Sequence, residues 1–118
     1  FMFMVQELAM AAHYSIPIIV VIVNNGYLSL IRQNQKYAYG YEYEVKLWYD
    51  DSGERMTDFV KLAEAMGCGG ERVTRPEEIQ EALRRAAAAQ IPYVIDIIVE
   101  RETDCSTGSS IDMVKEFD

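Results

Sequence analysis

The stretch Ile18-Ile19-Val20-Val21-Ile22-Val23-Asn24-Asn25-Gly26-Tyr27-Leu28-Ser29-Leu30-Ile31-Arg32-Gln33 carries the strongest structural signal in the chain. Six consecutive apolar residues of strand length read as a buried parallel strand, and they end in two amides. Asn-Gly between apolar residues is also the strongest short-range signal for a β-hairpin turn. Tyr27, Leu28, Leu30 and Ile31, however, recur at helical spacing, whereas a returning strand would alternate apolar and polar residues. The reading is therefore a strand that passes into a helix over residues 26–36. In open α/β sheets such junctions lie where ligands collect, beyond the carboxyl ends of the strands, and the first turn of the helix offers backbone N–H groups to an anion.

Helix and strand patterns alternate on both sides of this junction. Upstream, Met4, Val5, Leu8, Ala9 and Ala12 form the apolar face of a first helix that Ser15 and the Ile16-Pro17 pair bring to an end. Downstream, Tyr37 to Glu44 is too polar and too aromatic for a core element and reads as an extended loop, its tyrosines suited to an oligomer contact. Thr57 is expected to cap a helix carrying Phe59, Val60, Leu62, Ala63 and Met66, with Gly67 as its stop. Met66-Gly67-Cys68-Gly69-Gly70 reads as a helix stop and turn, and Arg72-Val73-Thr74 as a short strand. Pro76 can open a helix whose early Glu77, Glu78 and Glu81 and later Arg84 and Arg85 complement its dipole. Tyr93 to Val99 is a second strand dense enough in apolar residues to be buried on both faces. Parallel βαβ units follow, an α/β fold with a partial doubly wound parallel sheet flanked by helices. Residues 1–100 form the domain, and residues 101–118, without periodic pattern, form a C-terminal arm.

Composition narrows the function. The chain has 118 residues, half of them hydrophobic, enough for one domain with a real core. Its net charge of −8 argues against a nucleic-acid or anionic-membrane partner. No apolar run approaches the roughly 20 residues of a membrane span. Cys68 and Cys105 match neither a metal-ligand spacing nor a disulfide framework, so reduced thiols in a cytoplasmic protein are expected. His13, the single histidine, reads as a helix residue, and a His-rich zinc site or a Ser-His hydrolase is excluded for this stretch. Asp50-Asp51-Ser52-Gly53-Glu54 lacks the ligand order of a calcium loop and reads as solvated.

Glu7-Leu8-Ala9, Ile16-Pro17 and the run from Val23 to Gln33 resemble the second half of the thiamine-diphosphate motif in the C-terminal domain of thiamine-dependent enzymes. In that family the motif opens Gly-Asp-Gly and closes on Asn-Asn. The resemblance implies a thiamine-diphosphate-binding fold lacking its N-terminal strands, with the metal-binding aspartate expected just ahead of Phe1. It further implies that Asn25 offers its side-chain oxygen and Tyr27 its main-chain carbonyl to Mg²⁺, that Gly26 belongs to the same cofactor-binding turn, and that Leu28, Leu30 and Ile31 border the thiazolium and the substrate. The helix after Tyr27 would point its N-terminus at the diphosphate. No catalytic side chain is assigned within the chain.

Within the family, the Asn-Asn-x-Tyr-Leu-x-Leu-Ile-Arg-Gln run, Gly67-Cys68 with Arg72-Val73 and Arg75-Pro76-Glu77-Glu78-Ile79, and the ending from Glu100-Arg101 to Glu116-Phe117 are similar to the glyoxylate carboligase branch. That resemblance implies a carboligation of two glyoxylate to tartronate semialdehyde with loss of CO₂, FAD bound elsewhere in the full-length enzyme, and a homo-oligomer, dimer or tetramer, with each active site between subunits. The fragment by itself is expected to be inactive and to expose apolar surface where missing strands and the partner subunit belong. Two alternatives stand beside it: an acetolactate synthase-like or other 2-oxo acid decarboxylase, and a non-catalytic α/β binding module.

Overall fold

A computed structural model describes residues 1–49 and 56–101. Its strands are β1 (Ile19–Asn24), β2 (Gly69–Val73) and β3 (Tyr93–Ile98), and its helices α1 (Glu7–His13), α2 (Ser29–Asn34), α3 (Phe59–Ala65) and α4 (Ile79–Ala89). Backbone contacts divide the chain into one unit of Phe1–Asn24 and Asp58–Val99 and another of Asn25–Thr57 with Glu100 and Arg101.

The first unit is the expected parallel sheet, in the order β1-β3-β2. β3 is central: Ile19 pairs with Tyr93 and Asn24 with Ile98 on one side, Gly69 with Tyr93 and Val73 with Ile97 on the other. Side chains alternate across a strand, and consecutive residues of β3 feed two cores. Val94 packs with Leu8, Ala63 and Cys68 of the α1 and α3 side, while Ile95 packs with Val73, Ala82 and Ala86 of the α4 side. Both are fully buried, so helices cover the two faces of the central strand as a doubly wound arrangement requires.

Several boundaries differ from the sequence reading. β1 is covered on one face only: Val20 and Ile22 pack into the core, whereas Ile19, Val21 and Val23 are exposed by 38, 44 and 69%. An apolar run fixes strand identity but not how many layers cover it. Asp58, not Thr57, caps α3, its Oδ1 accepting the Lys61 N–H at 3.1 Å. That backbone bond, first among its causes, lowers the Asp58 pKa below its ordinary value of 3.8. Gly67 closes the helix as expected, with φ +81°. Gly69 and Gly70 lie in β2 rather than in a turn. The Tyr93 ring lies over Gly69, where an added Cβ would come within 2.5 Å of it, so the glycine makes room for an aromatic neighbour. His13 ends α1 with its ring edge-on to Tyr14. Pro76 opens a 3₁₀ turn, Pro76–Glu78, that leads into α4.

The second unit starts at Asn25. Its helix begins at Ser29, three residues later than the reading of 26–36 placed it, and α2 passes into a π-helix, Gln35–Tyr39, closed by Gly40 at φ +70°. The first tyrosines of the expected extended loop are therefore helical. Tyr43 is tied back to this helix, its N–H donating to Gln35 Oε1 at 2.8 Å and its carbonyl accepting from Gln35 Nε2 at 3.2 Å. The acidic stretch 50–54 and the expected arm beyond Arg101, including Cys105, lie outside the described residues.

Candidate functional site

Residues 25–28 build a tight turn followed by a short antiparallel pairing. Asn25 closes the turn on itself: its Oδ1 accepts the Tyr27 N–H at 3.2 Å, and its Nδ2 donates to Ser29 Oγ. Gly26 has φ +72°, a conformation natural to glycine. Space restricts it further, since a Cβ there would meet Met56 Sδ at 3.0 Å and the Trp48 ring at 3.2 Å. Tyr27 then bridges to Lys46 in antiparallel sense, with Leu28 N–H donating to the Val45 carbonyl at 2.9 Å and Leu47 N–H to the Gly26 carbonyl at 2.8 Å. The Asn-Gly signal thus does lead to antiparallel pairing, but with a segment nearly twenty residues away rather than with a returning hairpin strand.

The aromatic and charged surroundings are equally defined. Trp48 meets Tyr27 edge to face, centroids 4.7 Å apart at 78°. The Arg32 guanidinium sits 4.8 Å from the Tyr27 ring centre and pairs with Glu42 at 3.0 Å. Lys46 and Arg101 lie 5.4 and 5.0 Å from the Trp48 ring. Three cations therefore gather on the aromatic pair behind the turn in a chain of net charge −8.

Of the residues singled out in the sequence, Asn25, Gly26, Tyr27 and Leu28 share this turn, and Leu30 and Ile31 follow on α2. α2 is inverted relative to an ordinary surface helix: Arg32 and Gln33 are buried, while Leu28, Leu30 and Ile31 are 42, 51 and 51% exposed. Apolar side chains held out in this way suit contact with a ligand or another surface. Among the described residues no group of three His, Cys, Asp or Glu could hold a metal. The donors on the turn are neutral oxygens, an amide and a main-chain carbonyl, which suit a hard divalent cation that draws its remaining ligands from phosphate, water and other carboxylates.

A second polar centre escaped the sequence reading. Asp96, in the middle of β3, is 0% exposed. Its Oδ1 accepts from Asn24 Nδ2 at 3.0 Å and its Oδ2 from Arg72 Nε at 3.0 Å, so one carboxylate ties β1 and β2 to β3 near their carboxyl ends. Arg72 also reaches Asp58, the α3 cap, at 3.8 Å. The available signal was a single acid inside the run Tyr93-Val94-Ile95-Asp96-Ile97-Ile98, since buried charge is kept only where it is paired. On the outer rim Arg85 pairs with Glu71, and the Arg85 pKa is raised first by that hydrogen bond.

Comparison with known proteins places this architecture. Residues 1–97 match the family described as thiamine pyrophosphate enzyme, C-terminal TPP binding domain. The glyoxylate carboligase of Escherichia coli O157:H7 is 41% identical over 127 aligned positions, covering 100% of this chain and 21% of that protein. The probable acetolactate synthase large subunit of Methanocaldococcus jannaschii is 40% identical over 96, covering 80% of this chain and 15% of that protein. Among solved structures, the thiamine diphosphate-dependent 4-hydroxybenzoylformate decarboxylase of Rhodococcus jostii RHA1 superposes with a TM-score of 0.71 at 30% identity, covering 81% of this chain and 17% of that one. The chain spans about a fifth or less of the length of these relatives. Also, among the described residues no helix is long and apolar enough to cross a membrane. The parallel sheet, the strand-end turn and a match over 97 residues together identify the chain as a member of the thiamine pyrophosphate enzyme family, from its C-terminal TPP-binding domain.

Proposed function

We propose that the polypeptide carrying this chain is a carboligase that joins two glyoxylate molecules into tartronate semialdehyde with release of CO₂. The observation that carries this reading is the extent of similarity. The glyoxylate carboligase relative aligns over 100% of the chain, whereas the acetolactate synthases align over 80 to 89% of it. When bound, thiamine diphosphate supplies the electron sink that lets a 2-oxo acid lose CO₂ and its remaining carbon attack a second carbonyl. This chain contributes the seat. Asn25 Oδ1 and the Tyr27 carbonyl would hold Mg²⁺, and Gly26, whose missing Cβ leaves room for the Trp48 ring and Met56, would keep the turn in the shape that presents them. Leu28, Leu30 and Ile31 provide the apolar flank that keeps water from the reacting carbons.

The reading extends to Mg²⁺ as the metal, FAD bound outside this chain, a homo-oligomer and a cytoplasmic setting. A second reading has its own support: an acetolactate synthase of Mycobacterium bovis is 43% identical over 95 residues, which makes pyruvate the rival substrate. The deciding experiment supplies the native polypeptide with thiamine diphosphate, Mg²⁺ and FAD and offers glyoxylate and pyruvate separately. Tartronate semialdehyde and CO₂ from glyoxylate are expected. Acetolactate from pyruvate with no product from glyoxylate would transfer the enzyme to the second reading, and no turnover of either would refute both.

A further inference from the structure

We infer that Trp48 is a positioning residue for the turn at residues 25–27, acting as a clamp that sets how tightly this domain holds the Mg²⁺-diphosphate end of its cofactor. The inference rests on the proposed seat at Asn25 and Tyr27. Its structural basis, the packing of the Trp48 ring against Gly26 and the Tyr27 ring, stands whether or not that seat takes a metal.

Each element of the clamp is local. The Gly26 and Leu28 backbones are tied to Leu47 and Val45 by hydrogen bonds of 2.8 and 2.9 Å, and Val45 is buried at 2% exposure, so this pairing has a fixed base. Trp48 comes next in the chain and covers the one place where the turn has no side chain: its ring and Met56 Sδ occupy the space a Gly26 Cβ would need. The same ring supports Tyr27 edge to face at 4.7 Å. Trp48 is in turn held by Lys46 and Arg101 against its ring and by an antiparallel bridge to Met56. A glycine at φ +72° followed by a tyrosine would otherwise sample several backbone states. Packing one large, doubly held ring on both residues leaves a single state, with the Tyr27 carbonyl direction fixed before any metal arrives. Preorganised donors bind more tightly because less is lost on ordering them, and residues behind a metal ligand commonly govern its affinity.

The test uses the native polypeptide and reads Mg²⁺-dependent thiamine diphosphate binding by isothermal titration calorimetry, with turnover measured at saturating cofactor. Trp48→Ala and Trp48→Leu are expected to weaken cofactor affinity by about 10- to 100-fold, as loss of residues supporting metal ligands does. Turnover at saturation should stay within about twofold, because the clamp acts on binding and not on the reacting carbons. Trp48→Phe, which keeps an aromatic edge, should hold affinity within about threefold. A lowered melting temperature with unchanged affinity in Trp48→Leu would make the ring a packing element only and overturn the inference, whether or not the alanine variant folds. Wild-type protein that binds no thiamine diphosphate would instead refute the proposed seat, and the clamp with it. The two failures are thus told apart by the wild-type titration.

Discussion

Removing the Asp96 carboxylate should unlock the carboxyl ends of all three strands. In Asp96→Ala the Asn24 amide loses an acceptor at 3.0 Å inside a residue only 8% exposed. Loss of one hydrogen bond to a buried polar group costs about 1–3 kcal/mol, and the space vacated by the carboxylate adds about 1 kcal/mol. Arg72 contributes little, about 0–1 kcal/mol, because its side chain is 40% exposed and can turn to water or toward Asp58. The sum is about 2–5 kcal/mol. Asp96→Asn keeps one oxygen for Asn24 and gives up the Arg72 bond, so its cost should be near 1 kcal/mol. Native-state hydrogen exchange at the Val94 and Ile95 amides reads the opening of this sheet inside a larger polypeptide. Exchange through opening should accelerate roughly 30- to 4000-fold in the alanine variant and about fivefold in the asparagine variant. An alanine variant no faster than the asparagine variant would refute the view that one buried acid joins β1 and β2 to β3.

Three further outcomes follow from the same geometry. Gly26→Ala should weaken thiamine diphosphate binding at least about tenfold, because a Cβ would press on Met56 Sδ at 3.0 Å and adopt a positive φ; calorimetry checks it. Asp58→Ala should cost about 1 kcal/mol near neutral pH through loss of the α3 cap. The Asp58 pKa is depressed in the folded chain, so its contribution is present above 3.8 and fades as pH falls through the folded value. Denaturant unfolding of wild type and variant should therefore converge in acid, and a pH-independent gap would contradict the cap. Cys68 is buried with its Sγ against the Leu8 carbonyl, and burial raises its pKa above 9.0. Alkylation mapped to Cys68 at pH 8 should run well below the rate of an exposed thiol and recover on unfolding.

The sequence was most legible where one pattern had one meaning. The runs at 18–23 and 93–99 could only be strands of an α/β sheet once helical spacing was recognised between them, and Pro76 and Gly67 marked helix boundaries that the structure keeps. Neighbouring alternatives were harder. Thr57 and Asp58 are both good caps, and only the geometry of the Lys61 N–H selects the aspartate. Gly69-Gly70 looks like a turn until the Tyr93 ring, over twenty residues away, is seen to need that space. The exposed face of β1 is equally invisible in a run that is apolar at every position. At the candidate site, Asn25, Gly26 and Tyr27 declared themselves through a local motif. Trp48, Met56 and Asp96 did not, because their roles arise from contacts across long sequence separations that no periodicity encodes.

If the turn after β1 seats a metal-bound diphosphate, cofactor binding must depend on both Mg²⁺ and Asn25. The most direct measurement is calorimetric titration of thiamine diphosphate, with and without Mg²⁺, into the native polypeptide and its Asn25→Ala variant. Mg²⁺-dependent binding to the wild type, weakened by at least about tenfold in the variant, is the predicted result. Equal, Mg²⁺-independent binding by both proteins would contradict it.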